Sequence, residues 1–366
     1  MSEDHRSAIG ADLASDAGAP AAAPIIDGYS GFVVIGSGGF SRVYRAHQQA
    51  YDRVVAVKVL ADALDEEVRR AFARERALTG RLTGHPHVVT VLDSGTTESG
   101  QAFLTTEYYA GGSLAQVLST RGVLPVRDVV AIGIKIAGAL ETAHRCGIHH
   151  RDVKPQNILM SGFGEPALSD FGISTALLDR LAGAATTSAV TMMHAAPEVL
   201  EGDDEGPSAD VYSLASTLYC LLAGRPAFSA ENPTTGRDGV ALLVQRVLSD
   251  PVPPIDRTDA PSELIVTLHQ AMAKDPTRRF DSALAFAEAL QQVEKRCSYP
   301  PTAVICTPFI AGAPARSCGL PAPRAAAPEA VDPPEPRPPL RLVVELDAED
   351  EALDPEITAP RRRQKR

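Results

Sequence analysis

The sequence predicts an α+β chain folded as two lobes, a small one of antiparallel strands with one helix and a larger, mainly helical one. Three observations carry this. The β-branched runs bounded by Gly or polar residues all fall before about residue 110. From Ser113 onward apolar residues recur instead at helical spacing. The apolar pattern runs from about Tyr29 to Gln292 and then gives way abruptly to a Pro- and Ala-rich composition. The 366 residues, 44% hydrophobic and 22% charged, are ample for a substantial core and ordinary for a globular chain.

Taken in order, residues 1–26 are rich in Ala, Ser, Asp and Pro and read as a flexible leader. Strands are expected at 31–35 and 54–60. A helix should follow at 61–81 on Val68, Phe72 and Leu78, then two more strands at 88–92 and 102–107. Helices are expected at 113–120, 127–146, 208–223, 238–247, 261–273 and 281–295. The folded domain is therefore placed at 27–295, with the small lobe at 27–109 and the large lobe at 110–295. Residues 296–366 are expected to form a disordered tail. It carries an acidic run at 345–356 and ends in RRRQKR, and its short apolar piece Leu342-Val343-Val344 is a conceivable strand or docking motif.

Charge and composition exclude several classes. Lys and Arg total 35 against 46 Asp and Glu, a net charge of −11, which disfavours nonspecific attachment to nucleic acid or anionic membrane. No run of about 18 uncharged apolar residues suggests membrane insertion. The start MSEDHRSAIG lacks the basic and apolar regions of a secretory signal. Five cysteines without a CxxC pair argue against a disulfide framework. A cytoplasmic location is the expectation.

The chemistry lies in a series of short motifs. GSGGFSRV at 36–43 sits between predicted strands, where Gly36, Gly38 and Gly39 allow a tight turn and backbone N–H groups can approach phosphates; Ser37 belongs to the same turn. In VAVK at 55–58, Lys58 lies in an apolar strand and needs a partner, either nucleotide phosphates or a carboxylate of the following helix. Glu75, three residues after Phe72, is the chosen carboxylate. HRDVKPQN at 150–157, DFG at 170–172 and APE at 196–198 complete the set. Phosphoryl transfer needs a carboxylate at the incoming hydroxyl, oxygen ligands for Mg2+ and cations against the phosphate charge. Asp152, then Asn157 with Asp170, then Lys58 with Lys154 meet those needs.

In this order the motifs resemble the protein-kinase signature set, and DVYSL at 210–214 and Arg279 of PTRRF extend the match over about 29–294. The DxKPxN form is similar to Ser/Thr rather than tyrosine kinases. HPHVVTVL, HHRDVKPQNIL and DVYSLASTLYCLLAGRPAF resemble bacterial eukaryotic-like (Hanks-type) Ser/Thr kinases, particularly soluble actinobacterial ones of the PknK type, without their long regulatory extension. The resemblance implies the two-lobe protein-kinase fold and transfer of the ATP γ-phosphate to Ser/Thr hydroxyls of proteins. It implies that Gly36, Ser37, Gly38 and Gly39 cover the phosphates, that Lys58 holds the α- and β-phosphates and pairs with Glu75, and that Asp152 accepts the hydroxyl proton. Lys154 would stabilise the γ-phosphate, and Asn157 and Asp170 would bind Mg2+, for which Mn2+ could substitute. Val43, Ala56 and Leu159 would sandwich adenine, Glu107 to Tyr109 would read the purine edge, and Thr106 would stand behind them. His150 and Phe171 are expected to be packing residues.

The resemblance also implies, from Arg151 before Asp152, control by phosphorylation of the activation loop at 173–195; the physical reason is that such an Arg needs an anion. Thr186 and Thr187 are the favoured autophosphorylation sites, and Thr191 should touch Asp152 and Lys154. Val190 and His194 depart from the family pattern; His194 is either a plain substitution or a source of pH-sensitive docking. Glu198 and Arg279 should form a buried ion pair. Two competing functions remain, a catalytically dead scaffold and a small-molecule phosphotransferase. Intact Lys58, Asp152, Asn157 and Asp170 oppose the first; the peptide platform of APE, Thr191 and Arg279 opposes the second. Protein substrates are the expected partners. A homodimer through the small lobe is a family habit, and the Pro-rich tail is either a polyproline ligand or an inert tether.

Overall fold

The computed structural model describes residues 23–38, 41–60, 80–171, 192–202, 206–229 and 237–306, all within the first of two compact units, residues 1–316. Five antiparallel strands form the small lobe: β1 (Tyr29–Gly38), β2 (Ser41–Gln48), β3 (Arg53–Leu60), β4 (Val91–Thr96) and β5 (Ala102–Glu107), in the order β1-β2-β3-β5-β4. Central β3 shows why the sheet can serve a site. Side chains alternate between the two faces of a strand. Val55, Val57 and Val59 are buried with Tyr44, Ala46 and Phe103 in the small-lobe core. Ala56 and Lys58 therefore face the other way. In register, Lys58 stands between Val43 and Leu104, and Ala56 between Arg45 and Thr106.

Two strand expectations need correction. β2 went unread because its apolar content is small and its polar residues mask the period of two: Tyr44, Ala46 and Gln48 are buried, whereas Arg42 and Arg45 are exposed. The strand placed at 88–92 starts later, at Val91. Val88 and Val89 instead pair with the large lobe, through a bridge of Val88 with Leu168 and a hydrogen bond from Val89 N–H to the Leu168 carbonyl at 2.9 Å. Residues 61–79 of the expected first helix lie outside the described residues.

The large lobe matches the helical reading to within two residues at each end: α1 (Leu114–Arg121), α2 (Val126–Arg145), α4 (Pro207–Ala223), α5 (Arg237–Ser249), α6 (Ser262–Ala271) and α7 (Ala283–Arg296). A short α3 (Pro197–Glu201) and a hairpin of β6 (Ile158–Met160) with β7 (Pro166–Leu168) were not anticipated. A capping box starts α1, with Ser113 and Gln116 satisfying each other's backbone N–H. Helices α2 and α4 are buried along most of their length and form the centre of the large core with α7. Gly133 permits that approach, since a Cβ there would stand 2.7 Å from Leu218 and 2.8 Å from Leu290.

Ile26 is buried against the small lobe, and Glu98 N–H donates to the Ile25 carbonyl at 3.0 Å. At the other end, Cys297, Tyr299 and Val304 pack against the large core. Among the described residues no helix is long and apolar enough to cross a membrane.

Candidate active site

Between the sheet and the helices lies a cleft of about 650 Å³. Gly36, Val43 and Ala56 form its roof, Thr106 and Leu104 its back, Glu107 and Tyr109 its connecting edge, and Leu159 and Leu168 its floor. Lys58, Asp170 and Phe171 close the inner end. Of the expected nucleotide residues, Ser37 and Gly38 do not line this cleft, and Gly39 lies outside the described residues. Reading the sequence missed the edge segment 110–112. Gly111 N–H donates to the Met160 carbonyl at 2.9 Å, and Met160 N–H donates to the Gly112 carbonyl at 2.8 Å. A Cβ at Gly111 would meet the Met160 oxygen at 2.7 Å, so only glycine allows this approach. The Gly111-Gly112 pair just after the Glu107–Tyr109 edge was the available signal.

At the inner end, Lys58 Nζ lies 2.5 Å from Asp170 Oδ1. This carboxylate comes from DFG; Glu75, the partner chosen from sequence, lies outside the described residues. Asp170 has φ of 59°, a left-handed conformation that aims its side chain back at β3. Burial, the largest single influence, pushes its carboxyl upward, but the charge and hydrogen bond of Lys58, with His150 and Lys154, together hold it below the usual carboxylate range.

The loop 150–157 supplies the second cluster. Lys154 Nζ lies 2.8 Å from Asp152 Oδ2. Asn157 Nδ2 donates to the Asp152 carbonyl at 2.8 Å and to its Oδ2 at 3.0 Å, which makes Oδ1 the acceptor end of the amide. Ser169 N–H and Oγ donate to the Asn157 carbonyl at 2.8 and 3.0 Å, joining this loop to the segment that leads from β7 into Asp170. His150 is a packing residue as expected, fully buried and 4.8 Å from the Phe171 ring, but it also sets the hydrogen-bond network. Its Nε2 donates to the Ser169 carbonyl at 2.8 Å, and its Nδ1 accepts from Asp152 N–H at 3.2 Å.

Asp210, noted from sequence only within DVYSL, is the anchor of this loop. Its Oδ2 and Oδ1 accept from the backbone N–H of His150 and Arg151, each at 2.8 Å, and His144 Nε2 adds a contact to Oδ2 at 2.7 Å. Burial alone would raise the Asp210 carboxyl. His144 and the His150 donor reverse that and keep it charged. The clamp sustains Arg151 at φ of 68°, which a non-glycine residue adopts only under such constraint.

One carboxylate and one amide oxygen suit a hard cation that shares its remaining positions with water and phosphate oxygens. Among the described residues no group of three or more His, Cys, Asp and Glu could hold a metal alone. The apolar floor and roof suit a flat base.

Next to the APE motif the large lobe is braced. Arg279 and Glu198 form the expected buried ion pair, with further donation from Arg279 to the carbonyls of Ala273, Ser208 and Lys274. His194 is buried, and its Nδ1 lies 3.0 Å from Ser216 Oγ. Burial pushes its pKa down to about 3, so the ring stays neutral. Thr186, Thr187 and Thr191 lie outside the described residues.

A family model described as protein kinase domain matches residues 29–293. The chain is 42% identical over 275 residues to serine/threonine-protein kinase PknK of Mycobacterium tuberculosis, covering 74% of this chain and 24% of that protein. It is 34% identical over 277 residues to serine/threonine-protein kinase PknB of Mycobacterium leprae, covering 74% and 43%. Among solved structures, the Mycobacterium tuberculosis PknI kinase domain superposes with a TM-score of 0.54 at 31% identity, covering 74% of this chain and 99% of that one. The chain thus spans about a quarter of the length of its PknK relatives.

Proposed function

The chain belongs to the protein kinase family, and from that premise we propose that it transfers the ATP γ-phosphoryl group to Ser and Thr hydroxyls of proteins, including its own activation segment. One observation supports this most: Lys58 in the cleft and the Asp152–Asn157 loop meet at Asp170, the first through a direct ion pair and the second through Ser169.

In this reading the roof residues Gly36, Val43 and Ala56 and the floor residue Leu159 enclose adenine, and the backbone between Glu107 and Tyr109 meets its edge. Ser37, Gly38 and Gly39 belong to the turn over the phosphates. Lys58 balances phosphate charge, held in line by Asp170 and, on the sequence reading, by Glu75. Asp152 orients the incoming hydroxyl and accepts its proton. Lys154, now on Asp152 Oδ2, is placed to exchange that contact for the transferred phosphoryl oxygens. Asn157 Oδ1 and the Asp170 carboxylate would hold Mg2+, or Mn2+ in its place, which neutralises charge building on the phosphates. Thr186 and Thr187 would receive phosphate that pairs with Arg151.

The folded kinase domain is placed at 27–295, the chain is taken as cytoplasmic, and the small lobe, with Val34 and Val54 exposed, is the proposed face of a homodimer. Light scattering of the full chain and of a Val34→Glu variant tests the last point.

Radiolabelled ATP with a generic basic protein, followed by mass-spectrometric mapping of phosphosites, tests the activity. Label on Ser and Thr of the substrate and at Thr186 or Thr187, absent with Asp152→Asn, is the expected result. ATP binding without transfer would make the chain a scaffold, and transfer to small alcohols alone would make it a small-molecule phosphotransferase.

A further inference from the structure

Residues 299–306 make a set of contacts that no part of the proposed reaction uses. Glu294 on α7, which is buried, accepts Thr302 N–H on Oε2 at 2.9 Å and the Thr302 hydroxyl on Oε1 at 2.6 Å. Gln291 Nε2 donates to the Thr302 carbonyl at 2.8 Å. Three residues on, the Ile305 backbone lies flat on α2 at Gly138, where a Cβ would stand 2.6 Å from the Ile305 oxygen and 3.3 Å from its nitrogen. A glycine inside an otherwise well-formed helix costs stability, so its presence at a point of close backbone approach marks the contact as built in.

The same Ile305 carbonyl accepts a hydrogen bond of 2.9 Å from His85 Nε2. His85 is buried, and its other nitrogen, Nδ1, accepts from His87 N–H at 3.1 Å, which fixes the proton on Nε2. His87 in turn bonds the hairpin beneath the cleft: Nδ1 to the Pro166 carbonyl at 2.9 Å, and its carbonyl to Leu168 N–H at 2.9 Å. Val89 N–H returns to the Leu168 carbonyl at 2.9 Å. Val89 and Leu168 both line the cleft, and Leu168 is followed by Ser169 and Asp170. An unbroken series of bonded groups thus runs from Thr302 to the floor of the cleft.

We propose that residues 299–306 are a strap that positions the cleft floor through His85. His85 is then a positioning residue, acting through His87 and β7 and touching no reactant. The strap holds the 82–89 segment against the hairpin, and its release lets that segment and Leu168 drift together. The proposal rests on reading the cleft as a nucleotide site, and its test carries a readout that does not.

The full chain is compared with Gly138→Ala, which drives a methyl into the Ile305 backbone, and with Thr302→Glu, which sets a carboxylate against Glu294. Thr302→Ser, which keeps both bonds to Glu294, is the conservative control. Amide hydrogen exchange at Val89 and Leu168 should quicken about tenfold in the first two variants, while Leu214 and Leu218 of α4 keep wild-type protection. ADP affinity, measured by calorimetry, and the KM for ATP should weaken by about the same factor, roughly fivefold, with kcat little changed. Thr302→Ser should match the wild type. Unchanged exchange at Val89 and Leu168 in both disruptive variants overturns the strap. A chain that binds no ADP at all removes the nucleotide reading, yet quickened exchange would still sustain the coupling.

Discussion

Arg279 grips Glu198 with both arms of its guanidinium, Nη1 to Oε1 at 2.6 Å and Nη2 to Oε2 at 2.7 Å, with no part of the Arg279 side chain exposed to solvent. Its remaining donors reach the carbonyls of Ala273, Ser208 and Lys274, and its face lies 4.9 Å from the Tyr212 ring centroid. Arg279→Ala leaves Glu198 charged and buried, so stability should fall by about 3–5 kcal/mol. Arg279→Lys should rescue little of it, because one ammonium cannot replace a planar fork. Thermal melting checks both, and an unchanged midpoint for Arg279→Ala would refute the bracing role.

Asp152→Asn retains an acceptor oxygen for Asn157 Nδ2 but loses the basic carboxylate and the ion pair with Lys154. Transfer should drop by roughly 100-fold or more while ADP still binds, since general-base assistance is typically worth about 10²–10⁴. Rate and calorimetric affinity measured on one preparation separate the two effects. A variant that transfers phosphate at the wild-type rate removes Asp152 from its proposed place.

Asp210→Ala deprives the buried N–H groups of His150 and Arg151 of their acceptor. Each orphaned group costs about 1–3 kcal/mol, and the left-handed turn at Arg151 loses its clamp. The expected outcome is a destabilised chain whose residual folded fraction transfers phosphate slowly. Urea titration gives the first quantity and kcat per folded molecule the second.

His194 predicts an acid sensitivity with a definite sign. Burial lowers its folded pKa from the ordinary 6.5 to about 3, and Lys154 adds to the effect. Between those values the unfolded chain binds a proton that the folded chain refuses. Stability therefore falls as pH falls below about 6.5, by up to about 1.4 kcal/mol per pH unit from this residue. His194→Gln, which can still bond Ser216, should remove about 2 kcal/mol of the loss between about pH 6 and about pH 4.5. Urea titrations of both proteins across that range check the slope, and parallel slopes contradict the assignment.

The helical lobe was legible because each long helix repeats its apolar residues often enough to average out local ambiguity. The small lobe was less so. β2 hides its alternation behind Arg42, Arg45 and His47, and Val88 and Val89 look like a strand while serving the other lobe. Cleft residues that chemistry singles out, Lys58, Asp152, Asn157 and Asp170, could be named in advance because their side chains carry charge or metal-binding oxygen. The anchors could not. Asp210 and Gly111 act through backbone groups of residues distant in sequence, and His144 acts through the Asp210 carboxylate; nothing in their local sequence reports that. The strap escaped notice for the opposite reason, since a Pro-flanked Thr302 looks like tether until Glu294 and Gly138 are seen beside it.

The imidazole of residue 150 has both nitrogens engaged, one toward the stretch that ends in Asp170 and the other toward the amide of Asp152. A ring tied at both edges behaves like an axle pin between two levers. The proton acceptor and the acidic ligand at the inner end of the cleft cannot swing apart independently. Any excursion that retracts one must drag its companion along, so the machinery engages or disengages as a single piece.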